Sequence, residues 1–252
     1  MTQPITLITG ASAGLGVEFA KTYSKRGDRL VLVARREDRL KELAEELGNA
    51  RVVAMDLSKE GAAAALFADL KAHDEQVDTL INNAGFGLVG RFESLDGPRQ
   101  RQMIDLNCGV LTELAHGVLP AMHNAGKGAI LNVASVASFQ PGPGMAVYFA
   151  TKAYVLSFTE ALHEELKDSG IKVSALCPGP TSTEFGEVAG FGGNKAVETV
   201  AMTAEEVVRI GVEGLDRNKA VVVPGIANKI SANSSRFLPR STVRRIVNLI
   251  KK

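Results

Sequence analysis

Tyr148 and Lys152 stand four residues apart in Tyr148-Phe149-Ala150-Thr151-Lys152, and Ser135 lies thirteen residues before the tyrosine. On a helix, residues four apart share one face, so the phenol and the ammonium would sit side by side. A free phenol has a pKa of about 10, too high for an efficient base at neutral pH. A neighbouring positive charge favours the phenolate and would bring it toward a working range. Ser135, at the end of an apolar run, could hold a substrate oxygen beside that phenol. The trio suits proton exchange with an oxygen that gains or loses negative charge. Each part also has a plain structural use. A tyrosine and a lysine four apart occur in many helices, and a serine after a strand often caps the next turn.

A second chemical feature precedes this one. Thr9-Gly10-Ala11-Ser12-Ala13-Gly14-Leu15-Gly16 follows a short β-branched strand, Ile5 to Thr9, and opens a helix. Glycines here let the chain turn tightly, let a phosphate approach the backbone of Ser12, Ala13 and Leu15, and let helix lie close to strand. The helix N-terminus offers free N–H groups to a pyrophosphate. Three glycines would also serve any tight turn, but their place between the first strand and the first helix points to a dinucleotide. The second strand ends Val33-Ala34-Arg35-Arg36-Glu37. An acid at that point bonds the ribose hydroxyls of NAD, whereas an arginine accommodates the 2′-phosphate of NADP. Arg35 can make charge-assisted bonds to such a phosphate, so NADP(H) is expected in preference to NAD(H). The alternative is that Arg35 and Arg36 are a solvated pair. Asp56, followed by Leu57, can fix the adenine edge or cap the following helix. Asn83-Ala84-Gly85 puts small residues where a dinucleotide would cross the crevice, as an ordinary turn also would.

These residues need a scaffold, and the chain supplies one. It has 252 residues, 45% of them apolar and 23% charged, enough for a sizeable core and unlike a disordered or fibrous protein. With 29 basic and 28 acidic residues it has no global field for a polyanion, so no nucleic-acid partner is expected. Cys108 and Cys177 lie far apart without metal-ligand spacing, so neither a metal site nor a disulfide framework is expected. No apolar stretch reaches the roughly 18 residues of a membrane span, and the first residues do not resemble a signal peptide. The expectation is a soluble, cytoplasmic protein.

Apolar runs such as Leu30 to Ala34, without polar alternation, suit parallel strands covered on both faces. Strands are expected at 5–9, 30–34, 51–54, 78–82, 129–133, 171–176 and 220–223. Helices are expected at 17–26, 37–47, 60–74, 99–125 with a bend near Asn107-Cys108-Gly109, 146–169 and 204–215. Thr203 and Glu206 form a capping box for the last of these. Such alternation predicts an α/β protein. It is a single doubly wound Rossmann-type domain over 1–225, whose mostly parallel seven-stranded sheet has the order 3-2-1-4-5-6-7. Residues 226–252 form a basic C-terminal tail, packed on the domain or at a subunit interface.

Taken together, these motifs resemble the short-chain dehydrogenase/reductase family over nearly the whole chain. Thr9 to Gly16 matches its TGxxxGxG turn, and Asn82-Asn83-Ala84-Gly85 its NNAG segment. Asn132-Val133-Ala134-Ser135 carries the expected catalytic serine, and Tyr148 with Lys152 matches YxxxK. Asn107 matches the asparagine that in relatives supports a water linking the lysine to a proton path. Pro178-Gly179-Pro180-Thr181-Ser182-Thr183 matches the PGxxxT loop, so Pro178, Gly179, Thr181 and Thr183 are expected to hold the nicotinamide end. The resemblance implies hydride transfer between NADP(H) and a small-molecule carbonyl or secondary alcohol. Tyr148 would be the general acid/base, with Ser135, Lys152 and Asn107 supporting it. It also implies a homodimer or homotetramer.

Three departures qualify the likeness. Val173-Ser174-Ala175-Leu176 lacks the asparagine usual in 3-oxoacyl reductases of fatty-acid synthesis. Ala13 stands where many NADPH users carry a basic residue, so phosphate recognition would rest on Arg35, aided by Ser12 and Arg36. The ending from Val223 to Arg240 resembles a broad bacterial-type subgroup of diverse substrates.

Substrate choice is expected from loops above the strand ends. Phe86, Leu88, Phe139, Met145, Phe185 and Phe191 would make the mouth apolar, and Gly186, Gly190, Gly192 and Gly193 suggest a mobile lid over about 184–202. From Lys219 to Lys252 the chain has eight Lys/Arg and no Asp/Glu. Val243, Ile246, Val247 and Ile250 could form one side of a final helix among Arg244, Arg245, Lys251 and Lys252. That helix would dock on the domain or a second subunit, touch an anionic membrane, or remain solvated; membrane association is the less expected use. Two other functions compete with a general carbonyl reductase: a 3-oxoacyl-thioester or steroid-type reductase, and an NADP(H)-binding sensor or scaffold without turnover.

Overall fold

Ile5–Thr9 (β1) is buried along its whole length, with Leu7 facing one layer of helices and Ile8 the other. The same two-sided burial holds for Arg29–Ala34 (β2) beyond its first residue, which is why neither run alternates with polar residues. The computed structural model describes residues 3–190, 201–234, 237 and 239–250. Its remaining strands are Ala50–Ala54 (β3), Thr79–Asn82 (β4), Gly128–Val133 (β5), Ile171–Leu176 (β6) and Val221–Val222 (β7). They form one parallel seven-stranded sheet ordered β3-β2-β1-β4-β5-β6-β7, as the alternation predicted. The reversal of strand order falls between β1 and β4, where a doubly wound sheet opens a crevice at its carboxyl ends.

Helices cover both faces. On one side lie Ala62–Ala72 (α3), Leu111–Ala125 (α5) and Ala146–Glu165 (α6); Leu66, Leu114, Met122 and Leu162 pack there against Leu7, Val33, Leu80 and Ile130. On the other lie Leu15–Lys25 (α1), Glu37–Leu47 (α2) and Ala204–Asp216 (α8). Phe19, Leu40, Val208 and Leu215 pack there against Ile8, Leu32, Ile81 and Leu176. The long helical region is broken as expected: Gly97–Ile104 (α4) runs through a π-helical stretch, Asp105–Val110, into α5. A short helix, Phe185–Ala189 (α7), follows β6, and Ile226–Ser234 (α9) and Arg240–Ile250 (α10) end the chain.

Some boundaries move for local reasons. The helix expected to reach 169 ends at Glu165, because Gly170 takes a left-handed φ of 78° and the Ser169 hydroxyl accepts from Ile171 N to start β6. The helix expected from 60 starts at 62, after Gly61 at φ 75°. β7 shrinks to two residues before Pro224, which has no N–H, and Gly225, which turns at φ 83°. Thr203 caps α8 by accepting from Glu206 N at 3.2 Å. In α10, Val243 and Val247 are buried, but Ile246 is 41% exposed and does not join their side; Lys251, Lys252 and the Ile250 side chain lie outside the description.

Candidate active site

Thr9 ties the glycine-rich turn to the end of β4. Its hydroxyl accepts from the backbone N–H groups of Asn83 and Ala84, both at 3.0 Å, and donates to Ile81 O at 3.3 Å. Asn83 returns the link by donating from Nδ2 to Thr9 O at 2.9 Å and Gly10 O at 3.2 Å. The space beside Gly10 is therefore filled by Asn83, and a Cβ added at Gly10 would lie 2.9 Å from its Nδ2. Gly16 answers to packing alone, since a Cβ there would stand 2.1 Å from Gly10 O. Gly14 takes φ 54° and begins α1 with no side-chain cap, so the helix presents uncapped N–H groups. Gly14 and Leu15 open onto the main cavity. That cradle, with Arg35 beside it, fits a dinucleotide phosphate.

The cavity has a volume of about 1190 Å³ and runs along the carboxyl ends of the strands. Gly10, Ser12, Ala13, Gly14 and Leu15 line it, with Arg35, Arg36, Asp56, Leu57, Asn83, Ala84 and Gly85 along the dinucleotide end. Ser135, Tyr148, Lys152, Pro178, Gly179, Thr181 and Thr183 line the other. Two expected site residues do not face it. Gly16 lies behind the turn for the packing reason just given. Asn107, 1% exposed, lies behind Gly85 and uses its side chain as a clamp. Its Oδ1 accepts from Phe86 N at 3.1 Å, and its Nδ2 donates to Phe86 O at 3.0 Å and Thr151 Oγ1 at 3.1 Å.

Asp56 serves first as a local cap, its Oδ1 accepting from Ser58 N at 3.1 Å and Ser58 Oγ at 2.7 Å. Burial pushes its carboxyl up, but those bonds, with Arg35 and Lys59 nearby, outweigh it and hold the group below the usual carboxylate range. Ser135 is likewise a cap that also lines the cavity. It accepts from Ala137 N at 3.1 Å to start the 3-10 turn Val136–Phe139, while its hydroxyl also reaches the Tyr148 phenol.

Tyr148 and Lys152 do share one face of α6, and both are buried. Lys152 Nζ donates to Val133 O at 2.7 Å and lies 5.9 Å from the centre of the Tyr148 ring. The expected downward pull on the phenol does not appear. Burial pushes Tyr148 up to about 12 against the opposing Ser135 bond, and burial pushes Lys152 down to about 8. The physical reason is that desolvation penalises charge on both groups, and the ammonium is turned to a carbonyl rather than to the phenol. At neutral pH the phenol holds its proton, ready to give it.

The mouth is apolar, but differently built from the expectation. Phe86, Val89, Met145, Phe149 and Phe185 line it, with the Phe185 ring centre 5.5 Å from that of Tyr148. Leu88 packs behind Phe86 and Met145, and Phe139 packs against a separate core with Leu111 and Val155. Phe191, Gly192 and Gly193 lie outside the described residues. The sequence reading missed Arg99, which stacks over Phe86 at 4.2 Å, and Gln102, which donates to Ser58 Oγ at 2.6 Å. Both sit on α4 and line the cavity, and nothing in their spacing distinguishes them from a solvated helix face.

The family model for short chain dehydrogenase matches residues 4–190. The chain belongs to that family. Sulfoacetaldehyde reductase 2 of Chromohalobacter salexigens is 37% identical over 217 residues, spanning 82% of this chain and 86% of that one. A short-chain dehydrogenase from Sphingobium yanoikuyae, solved in complex with NADPH, superposes with a TM-score of 0.83 at 37% identity, covering 93% of each chain. The bulky-bulky ketone specific alcohol dehydrogenase of Comamonas testosteroni reaches 0.79 at 32% identity, covering 94% of this chain and 93% of that one. This short-chain dehydrogenase is an oxidoreductase that transfers hydride between a nicotinamide cofactor and a carbonyl or alcohol substrate. The expected NADP(H) cofactor agrees with the one held by the Sphingobium relative. Among the described residues no helix is long and apolar enough to cross a membrane, and no group of His, Cys, Asp or Glu is placed to hold a metal.

Proposed function

We propose that this short-chain dehydrogenase reduces an uncharged, bulky carbonyl compound with NADPH, using Tyr148 as the general acid. The observation that carries the reading is the buried Tyr148 phenol, proton-bearing at neutral pH, facing Ser135 at the floor of an apolar mouth. Bound along the glycine-rich turn, NADPH would supply the hydride. Tyr148 gives its proton to the carbonyl oxygen as charge develops there, and Ser135 donates a hydrogen bond to the same atom. Lys152, fixed by Val133 O and 5.9 Å from the centre of the phenol ring, would hold the ribose and supply a counter-charge as the phenolate forms. Asn107 acts at one remove: its amide sets the backbone at Phe86, so a relay that reprotonates Tyr148 would pass its main-chain carbonyl rather than its side chain. Arg35 reads the 2′-phosphate, and Pro178, Gly179, Thr181 and Thr183 border the nicotinamide end.

The mouth argues for a bulky apolar group over a small anionic aldehyde. Of its rim cations, Arg91 is paired with Glu93 at 2.5 Å, while Arg99 keeps its charge over the Phe86 ring and donates to Gln102 Oε1. A sulfonate or carboxylate next to the reacting carbon would meet Phe149, Met145 and Phe185 instead.

The enzyme works in the cytoplasm as a homodimer or homotetramer. The free cysteines Cys108 and Cys177 suit a reducing compartment, and exposed Ile104 and Tyr154 on α4 and α6 suit a subunit contact. The test of the reaction is NADPH oxidation across bulky ketones, ketosteroids, 3-oxoacyl thioesters and small anionic aldehydes. Turnover confined to the anionic aldehydes would refute the substrate reading. Light scattering after gel filtration gives the subunit number.

A further inference from the structure

Arg35 and Arg36 are adjacent, both line the cavity, and both would ordinarily be counted as phosphate readers. Their surroundings differ. Arg35 is exposed and makes no ion pair among the described residues. Arg36 is already engaged: Nη1 meets the Glu184 carboxylate at 2.8 Å, Nη2 donates to Ser12 O at 3.2 Å and Nε donates to Ser12 Oγ at 3.3 Å. Ser12 belongs to the glycine-rich turn. Glu184 immediately precedes α7, next to Thr183, which packs on Gly14, and to Phe185, which lies against the Tyr148 ring. The Arg36–Glu184 pair therefore spans the cleft from the end of β2 to the strand-6 side, over the turn where the phosphates would lie.

We infer that the two arginines divide the work, Arg35 reading the 2′-phosphate and Arg36 with Glu184 forming a clasp that holds residues 183–185 over a bound dinucleotide. This rests on the NADP(H) reading above. A carboxylate beside Arg36 neutralises the charge that would distinguish a phosphate from a hydroxyl, so that arginine loses its power to select NADPH over NADH. A clasp instead slows release of either dinucleotide, because neither can leave while the segment is closed. The pair is about half exposed on both sides, so its effect is modest, roughly two- to fivefold in off-rate.

The test uses nicotinamide fluorescence in stopped flow, with NADPH and NADH each mixed with wild type, Arg35→Ala, Arg36→Gln, Glu184→Gln and the Arg36→Gln/Glu184→Gln double variant. Arg35→Ala should weaken NADPH and leave NADH nearly unchanged; if it weakens neither, the NADP(H) reading of that end fails, independently of the clasp. Glu184→Gln should speed release of NADPH and NADH alike by roughly two- to fivefold, and Arg36→Gln, which also frees Ser12, by at least as much for both. The double variant should be no faster than Arg36→Gln, since the contact to Glu184 is already lost in that single variant. The clasp is overturned if Arg36→Gln weakens NADPH alone, which makes it a second phosphate reader, or if Glu184→Gln tightens NADPH, which makes the carboxylate a competitor. Additive effects in the double variant would also overturn it.

Discussion

Lys152→Met separates the chemical value of the lysine from its thermodynamic burden. In the wild type the ammonium is 6% exposed, and burial depresses its pKa from 10.5 to about 8. A depressed lysine binds fewer protons folded than unfolded between those values, so folding stability rises with pH across that window. At about 1.36 kcal/mol for each pH unit of full difference, the lysine alone contributes a rise of about 2.5 kcal/mol between pH 7 and pH 10. The variant lacks the titrating group and lacks that rise. Removing the donor also leaves Val133 O unpaired, at about 1–3 kcal/mol, but this penalty is the same at every pH. Tyr148, Cys108 and Cys177 are pushed up by burial and oppose the trend in alkaline solution, yet they are present in both proteins. The quantity to plot is therefore the difference in urea unfolding free energy, wild type minus variant, at pH 7, 8, 9 and 10. It should climb by about 2.5 kcal/mol, while the variant has lost turnover. A flat difference would refute the reasoning, because the folded ammonium would then have its ordinary pKa.

Tyr148→Phe removes the proton donor and should lower kcat by about 10²–10⁴-fold with the NADPH dissociation constant unchanged; wild-type turnover would refute the acid assignment. Gly16→Ala puts a Cβ 2.1 Å from Gly10 O, where backbone must give way. It should lower stability by about 1–3 kcal/mol in urea unfolding and weaken NADPH in fluorescence titration. Glu75→Gln tests the fold remote from the chemistry. Its side chain is 1% exposed and held by Arg29 at 2.7 Å and Arg51 at 2.5 Å, so unfolding free energy should fall by about 1–3 kcal/mol while kcat per folded molecule stays put. A change in kcat would mean that this pair reaches the site.

The placement of the candidate residues was legible because each belongs to a local pattern that the backbone enforces. Gly10 and Gly14 must be glycine where the turn runs at positive φ, Tyr148 and Lys152 must be four apart to share a face of α6, and Ser135 must follow a strand that ends at the crevice. The parallel pairing followed from the same economy, since two-sided burial leaves strands without polar alternation and parallel connections require helices between them, and the strand order is that of the doubly wound fold. What escaped lies between segments. Arg36 meets Glu184 across 148 residues of chain, and neither residue type nor spacing marks either as the other's partner. Asn228 fills the space that a Cβ on Gly179 would need, 2.3 Å from its Oδ1, which ties α9 to the expected nicotinamide loop through a helix that reads only as part of a basic tail. The charge state of the Tyr148–Lys152 pair escaped for a related reason. Spacing says that the phenol and the ammonium are neighbours, but only burial and the Val133 carbonyl decide that the lysine is turned away and that the phenol keeps its proton. Motif matching therefore locates this kind of site while leaving its resting protonation to the packing around it. Here that packing raises the phenol and lowers the ammonium, the reverse of what their spacing alone suggests.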